Sequence, residues 1–501
     1  MEGLSYLGVG LGIALQPINL LYCFLGVFCG TLVGVLPGIG PSGALALLLP
    51  ITLHLPAVSG IIMFCGIMYG AMYGGSTTSI LVNIPGEAAS VITCLDGYQM
   101  AKKGRAGPAL GMAAFGSFVA GTVSLFGLVF LAPPLAEFCL RFGPPEYFAM
   151  MVFGLSTLLY LIQGSMAKAV MMALLGLMLA SVGLDPVTGD PRFTFDILTL
   201  RDGLGLVQIV IGLFGVSEIL ITLEKGVRRA ILQTEIRGLL PTLKDWKDSI
   251  LPIGRGSVLG FFLGVIPGMS VVIPTFISYS LERKLSKHPE KFGTGVIEGV
   301  AGPEAANNAA SSGCMVPLLS LGIPPGAASA LVLGAMMIYG VIPGPMLIKD
   351  SPQVFWGVIG SMYVGNVMLL LLNLPLISIW VKTLKTPYPI LFTLILLFCL
   401  IGSYTIGNSI TDMVIMIIFG LIGYLMKKFD FEMAPLVLGL VLGPLMERKF
   451  RTSMIMSQGS FLIFFRRPIS MVLLGLAILV LLSPIFTKRR LAEEIVKGGE
   501  A

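Results

Sequence analysis

Charge is what this sequence has least of. Asp, Glu, Lys and Arg make up 12% of its 501 residues, where soluble domains carry about a quarter. A soluble chain of this length must cover its outside with polar side chains, so the shortage excludes a large soluble fold. The absences are also grouped. No Asp, Glu, Lys or Arg occurs from Gly3 to Gly86, and further uncharged tracts run from Ala106 to Ala136, Ala305 to Ile348, Ser351 to Val381 and Thr386 to Thr411. About 20 mostly apolar residues cross a bilayer, so each tract is long enough for one span or a pair. A lone signal peptide or anchor is excluded, because the pattern covers the whole length.

Ligands for metals and nucleophiles with bases are equally scarce. His54 and His288 are the only two histidines, too few for a histidine metal site. The seven cysteines, Cys23, Cys29, Cys65, Cys94, Cys139, Cys314 and Cys399, lie mostly in apolar tracts without metal-ligand spacing, and read as small buried hydrophobes rather than a disulfide framework. No Gly-x-x-x-x-Gly-Lys-Ser/Thr sequence is present, which disfavours ATP drive within this chain. Neither histidine sits where it would activate a nucleophile, so an enzyme is not expected. No cofactor is implied and no metal ligand set is assigned.

What the sequence does have is apolar mass, 55% of residues, with a mean hydropathy of +0.93. The net charge of +6 comes from short basic clusters between apolar tracts, such as Lys102, Lys103 and Arg105, or Arg283, Lys284, Lys287 and Lys291. Clusters so placed are cytoplasmic anchors at a lipid bilayer under the positive-inside rule, not a nucleic-acid surface.

Apolar stretches bounded by charge, Pro and Gly predict membrane segments at about 18–50, 58–84, 108–136, 145–162, 166–184, 204–223, 256–280, 305–341, 352–380, 388–406, 410–427, 432–446 and 468–486. The fold expected is an all-α polytopic membrane protein of about 12 transmembrane helices, the two longest tracts being hairpins or broken helices. Residues 224–250 form the longest polar stretch and fall almost at the midpoint. This divides the chain into a first membrane half (1–223), a polar linker (224–250), a second half (251–446) and a C-terminal span with a basic tail (447–501).

The halves share motifs. Shifting by 230 positions matches Gly26, Gly30, Gly34, Val35, Pro37 and Gly38 with Gly256, Gly260, Gly264, Val265, Pro267 and Gly268. Shifting by 239 matches Ile84, Pro85, Ala88, Ala89 and Ser90 with Ile323, Pro324, Ala327, Ala328 and Ser329. Two ordered pairs at nearly equal shifts indicate two repeated halves. An inverted-topology arrangement is expected, although the span count alone does not prove parity.

Each motif has a physical reading. Gly at every fourth position lines one helix face with small residues and permits close backbone approach, which ordinary membrane packing also uses. Proline followed by glycine stops or breaks a helix, so breaks are predicted at Pro37-Gly38, Pro85-Gly86, Pro267-Gly268 and Pro324-Pro325-Gly326. Broken backbone at membrane depth is tolerated only inside protein or beside an aqueous cavity, where transporters hold their ligands. Polar side chains cluster at the second break of each half: Ser76, Thr77, Thr78, Ser79 and Asn83 in the first, Asn307, Asn308, Ser311 and Ser312 in the second. Hydroxyls, amides and freed backbone N–H groups can hold carboxylate oxygens, and exposed carbonyls at helix C-termini can coordinate Na⁺. A lone Ser or Thr in a membrane helix more often bonds its own preceding carbonyl. Two adjacent asparagines cannot both face one neighbouring helix, so Asn307 and Asn308 are placed in or beside a polar cavity. Glu87, Glu218, Glu298, Glu304 and Asp412, at the edges of apolar tracts, are candidates for a proton or Na⁺ relay.

With these motifs in hand, the sequence resembles the large membrane subunit of the tripartite tricarboxylate transporters, the TctA family. The resemblance rests on Gly34-Val-Leu-Pro-Gly-Ile-Gly-Pro41, Tyr69 to Glu87, Asp96-Gly-Tyr98, Gly302-Pro-Glu-Ala-Ala-Asn-Asn308 and Leu321-Gly-Ile-Pro-Pro-Gly326, which cover both halves in order. It implies a multi-pass permease of the bacterial cytoplasmic (inner) membrane. The expected partners are a small membrane subunit of the TctB type and a periplasmic solute-binding protein of the TctC type. Uptake of citrate or a related carboxylate would run on a Na⁺ or H⁺ gradient. The family pattern carries over to Ser76 to Ser79 with Asn83, and to Asn307, Asn308, Ser311 and Ser312. Here the second motif reads Ile-Pro-Pro-Gly, where Ile-Pro-Gly and a small residue would be expected, so the substrate class is carboxylate rather than citrate alone. The rival readings are a channel or exporter for small organic anions and a non-transporting assembly subunit. Paired broken segments favour alternating access over a continuous water path.

Overall fold

The computed structural model describes residues 2–36, 39–161, 165–185, 187–225, 238–269, 271–384 and 387–498. The chain is helical almost throughout. The first eight helices are α1 (Glu2–Ala14), α2 (Pro17–Gly34), α3 (Gly40–Thr52), α4 (Ala57–Val82), α5 (Val91–Lys102), α6 (Ala106–Cys139), α7 (Pro144–Leu161) and α8 (Met166–Leu179). A two-residue hairpin follows, β1 (Gly183–Leu184) with β2 (Pro191–Arg192), then α9 (Leu206–Val210) and α10 (Ser217–Lys225), joined by a π turn at Ile211–Val216. The later helices are α11 (Leu243–Val265), α12 (Val272–Leu285), α13 (Glu298–Leu321), α14 (Ala327–Ile338), α15 (Leu347–Asp350), α16 (Pro352–Asn373), α17 (Ile377–Leu384), α18 (Tyr388–Gly407), α19 (Ile410–Lys428), α20 (Ala434–Met456), α21 (Ile463–Arg466) and α22 (Pro468–Gly498).

Among the described residues, eight helices are long and apolar enough to cross a membrane, with five shorter apolar helices beside them. About 12 spans were expected. The difference arises because the chain is broken more often than hydropathy shows: 18–50 becomes α2 and α3, and 305–341 becomes α13 and α14. Large apolar side chains such as Phe130, Phe262, Leu371 and Phe398 stand exposed on the outside. Without surrounding lipid such a surface would aggregate, and it marks this as a multi-pass membrane protein.

α4 and α13 are the central helices, buried along almost their whole length. A helix buried all round needs no amphipathic face, which is why both sequences lack one. Each is held by a glycine-lined partner. A Cβ added to Gly26, Gly30 or Gly34 of α2 would stand 2.3, 2.3 and 2.2 Å from the carbonyl oxygens of Met63, Ile67 and Ala71. For Gly256, Gly260 and Gly264 of α11 the distances are 2.4, 2.3 and 2.4 Å, to Gly302, Ala306 and Ala310. The acceptors in α4 and α13 differ by 239 positions and the glycines by 230, the two shifts found in the sequence. Contact also runs the other way: Gly74 meets the Thr31 carbonyl as Gly313 meets that of Phe261. The small-residue stripes therefore do a packing job, and two helix pairs are built alike.

Residues 226–237 of the expected polar linker lie outside the described residues. At its end, Thr242 and Asp245 cap α11 reciprocally, and Arg105 from the start of α6 bonds the same Asp245.

Candidate functional site

The breaks come first, because they aim everything else. α4 ends at Asn83, whose left-handed backbone (φ +58°) turns the chain out of the helix. Ile84 to Glu87 then cross to a short 3₁₀ turn, Ala88–Ser90, that leads into α5. Gly86 must be glycine here, since a Cβ would lie 2.4 Å from the Gly75 Cα. Ser90 ties the turn: its hydroxyl donates to the Glu87 carbonyl (2.9 Å) and accepts from the Glu87 N–H (3.3 Å). α13 ends the same way, with Gly322 left-handed (φ +71°), and passes through buried Pro324 and Pro325 to Gly326. Ser329 there donates to the Gly326 carbonyl and accepts from the Gly326 N–H, both at 2.9 Å. Asn83 and Gly322, like Ser90 and Ser329, are 239 positions apart.

The first break of each half is seen once. α11 stops at Val265, and Gly268 (φ +83°) is buried so closely against α7 that a Cβ would lie 2.4 Å from the Leu158 amide nitrogen. Pro267-Gly268 thus sits between α11 and α12, and the Arg255–Glu282 ion pair joins these helices. Pro37-Gly38 lie outside the described residues. They are flanked by the end of α2 at Gly34 and the start of α3 at Gly40.

Two cavities lie along α4 and α6, the first against α16 and α17 and the second against α13 and α16. One, about 10 Å³ and so room for about one water, is bounded by Tyr73, Ser76, Thr77, Ser117 and Asn373, with Leu110, Ala113, Ala114 and Ile377 as apolar wall. The other, about 20 Å³, is bounded by Tyr69, Tyr73, Asn308, Ser311, Ser312 and Asn366, with Leu125, Met362 and Leu369. Tyr73 belongs to both and donates to Asn366 Oδ1 at 2.7 Å. The Asn366 amide in turn donates to the Phe118 carbonyl (2.9 Å) and Thr122 Oγ1 (3.0 Å), so one asparagine joins α4, α6 and α16.

The polar residues singled out from sequence divide by position. Ser76 and Thr77 reach the first cavity, while Asn308, Ser311 and Ser312 reach the second. Asn308 donates to Ser117 Oγ at 2.6 Å, and Ser312 to the Asn308 carbonyl at 3.3 Å. Asn307 points elsewhere, its amide donating to Glu87 Oε1 at 2.7 Å. Thr78 donates to the carbonyl of Val35, just past the end of α2, at 2.9 Å. Ser79 donates to the Gly75 carbonyl and braces Ser90 at 2.9 Å. Asn83 is exposed and serves as the helix terminus rather than a cavity wall. Of the relay candidates, Glu218 pairs with Lys427, whereas Glu298 and Asp412 occupy first turns of α13 and α19. Glu304 is buried (1% exposed), taking hydrogen bonds from Ser76 (2.7 Å) and Thr93 (2.5 Å).

Asn366, Asn373, Ser117 and Thr93 were missed. The two asparagines did carry a signal. They are seven residues apart in an uncharged tract, hence on one helix face, and a buried amide in lipid needs a partner as much there as at Asn307. Asp96 was noted without a role. Fully buried, it accepts from the N–H groups of Gly293 (3.0 Å), Gly295 (2.7 Å) and Val296 (2.9 Å) and from the Tyr279 hydroxyl (2.9 Å), fixing the loop that delivers α13.

Chemically, the cavities present neutral donors: a phenol, hydroxyls and amides. Ser311 Oγ and Asn373 Oδ1 are buried with no hydrogen-bond partner. A buried polar atom left open in this way costs about 1–3 kcal/mol unless something fills it. Both cavities are water-sized, so a larger polar solute needs these walls to move apart. Among the described residues, no three His, Cys, Asp or Glu converge in a geometry that could hold a metal ion.

The comparisons agree with this architecture. An uncharacterised 52.8 kDa protein from the TAR-I ttuC′ 3′ region of Agrobacterium vitis is 49% identical over 493 residues, covering 98% of each chain. An uncharacterised protein from the TAR-II ttuC′ 3′ region of the same organism is 49% identical over 234 residues, 46% of this chain and 97% of that one. No solved structure matches. Residues 20–438 match the model of the tripartite tricarboxylate transporter TctA family, whose members are transporters. This polytopic membrane protein belongs to the TctA family.

Proposed function

We propose that the chain is the large permease subunit of a binding-protein-dependent secondary transporter, importing a tricarboxylate or related carboxylate together with Na⁺ or H⁺. Family membership supports the class. The observation that carries the reading is the pair of small polar cavities beside α4, the second of them reaching α13, lined by Tyr73, Ser76, Asn308 and Ser311, the last with a buried hydroxyl that has no hydrogen-bond partner among the described residues. Neutral donors hold carboxylate oxygens without a fixed cation, so the ligand's charge is offset by the ion that travels with it.

In this reading the two halves, 1–223 and 251–446, descend from one duplicated unit and lie in inverted topology, with 224–250 as linker and 447–501 as a C-terminal addition. The doubled shifts of 230 and 239 in both sequence and packing support the duplication. A periplasmic solute-binding protein of the TctC type delivers the anion, and a small subunit of the TctB type completes the membrane complex in the bacterial inner membrane. One half then moves against the other to open the cytoplasmic side.

The test is accumulation of labelled mono-, di- and tricarboxylates in proteoliposomes holding this chain, the small subunit and the binding protein, with Na⁺ and pH gradients imposed separately. Accumulation of a carboxylate under one gradient is expected. No accumulation of any under either would end the reading.

A further inference from the structure

The two repeated breaks differ at three positions, Asn83 against Gly322, Gly86 against Pro325 and Glu87 against Gly326, and only the last involves a carboxyl group. Glu87 stands at the N-terminal side of the restart after Pro85-Gly86, and its counterpart 239 positions on is Gly326. The serine hydrogen bonds at that residue are the same, with Ser90 and Ser329 each bonding both of its backbone groups. The break therefore folds with glycine there, and the Glu87 side chain is not needed to build it. The same holds for Glu304, whose counterpart in α4 is Cys65, although the glycine packing on either side is alike.

Both carboxyl groups are nonetheless buried, Glu87 at 7% and Glu304 at 1% exposure. No Lys, Arg or His among the described residues pairs with either. An unpaired buried carboxylate costs several kcal/mol, so an architecture that could do without both keeps them for a reason.

Asn307 indicates what that reason is. Its Nδ2 donates to Glu87 Oε1, while Oδ1 of the same amide is buried without a partner. An open acceptor beside a carboxylate cannot be met by another lone pair. A carboxylic acid O–H meets it, giving the reciprocal amide–acid pair in which each group donates once and accepts once. From these observations we propose that Glu87 is the site that takes up the coupling proton, with Asn307 as the partner that recognises its protonated form. This rests on the transport reading above and narrows its coupling ion to H⁺.

The elements packed against Glu87 carry further titratable groups. α13 contributes Glu304, which is held by Ser76 and Thr93; α4 contributes Tyr73, which is bonded to Asn366. α5 carries Cys94 and Asp96, the latter engaged by Tyr279 of α12 and three backbone N–H groups. α12 also carries Glu282, paired with Arg255.

Infrared difference spectra of the full chain in lipid, titrated with pH, read this directly and do not require a substrate. Wild type should show a protonated-carboxyl carbonyl band that Glu87→Gln and Glu87→Gly both remove, the second variant copying the residue that the other break already uses. Asn307→Leu should move the titration of that band by at least tenfold in proton concentration. In the reconstituted complex, accumulation driven by a pH gradient should fall at least tenfold in Glu87→Gln. A band indifferent to both Glu87 variants overturns the proposal, as does Na⁺ binding to wild type that Glu87→Gln abolishes. A wild-type complex that moves no carboxylate, with the band present and sensitive to Glu87, would instead overturn the transport reading and the coupling role, while leaving the proton site in place.

Discussion

Gly260 of α11 and Ala306 of α13 meet main chain to main chain: a Cβ on Gly260 would lie 2.3 Å from the Ala306 carbonyl oxygen. Six residues earlier on the same helix, Gly254 is exposed with nothing within 4 Å of that position. The two glycines separate packing from propensity. Gly260→Ala forces the helices apart and should cost about 1–3 kcal/mol or more. Gly254→Ala removes a flexible residue from a helix interior and should stabilise by up to ~1 kcal/mol. Thermal unfolding of the purified protein in detergent compares them directly.

Asp96 closes the loop before α13 with four accepted hydrogen bonds. Asp96→Asn keeps the shape but turns part of the acceptor into a donor facing N–H groups. The expected loss is on the order of 2–3 kcal/mol. Faster amide exchange at Gly293 to Val296, ahead of the rest of the chain, would locate it.

Ser311 offers a test in which stability and function move in opposite directions. Its buried hydroxyl has no partner, so Ser311→Ala should leave the protein as stable or up to ~1 kcal/mol more so. If the hydroxyl serves a bound carboxylate, apparent affinity for uptake should fall about tenfold, or ~1.4 kcal/mol. Unchanged affinity would assign Ser311 to packing alone.

The β-hairpin makes a prediction about pH. Arg451 beside Asp185, with the N–H groups of Val187 and Thr188, holds that carboxyl well below the usual carboxylate range. A lowered value means the charged form is favoured in the folded state. The contribution is therefore complete above the ordinary Asp range near pH ~4 and is lost only as pH falls through the lower, folded value. Amide protection at 183–192 should persist to about pH 4 and decline below it, and Asp185→Asn should flatten that decline.

Much of this was legible in the residues. The uncharged tracts placed the helices, the glycine stripes marked the faces of α2 and α11 that pack closely, though not on which helices, and Pro85-Gly86 and Pro324-Pro325-Gly326 marked breaks. What hydropathy could not convey was direction. Thr78 and Ser79 look like Ser76 and Thr77 in sequence, yet Thr78 satisfies the backbone at Val35 and Ser79 braces Ser90. Asn307 and Asn308 are adjacent, but about 100° of helical rotation separates them, which sends one to Glu87 and the other to a cavity. The hairpin at 183–192 and the π turn at Ile211–Val216 were not anticipated, because each is set by tertiary partners: Arg192 by Glu447, and Gly212 by the Met416 carbonyl.

Because α2 and α4 touch through main-chain atoms over three turns, neither can rotate about its own axis without driving a carbonyl oxygen into a Cα. The pair behaves as one thick rod, and α11 with α13 as another. α4 and α13 each end at a single left-handed residue, Asn83 and Gly322, where one change of torsion would redirect all that follows. Rods and joints alternate along the chain, so a turn at a joint would tilt the cavity walls as whole bodies instead of softening them one side chain at a time.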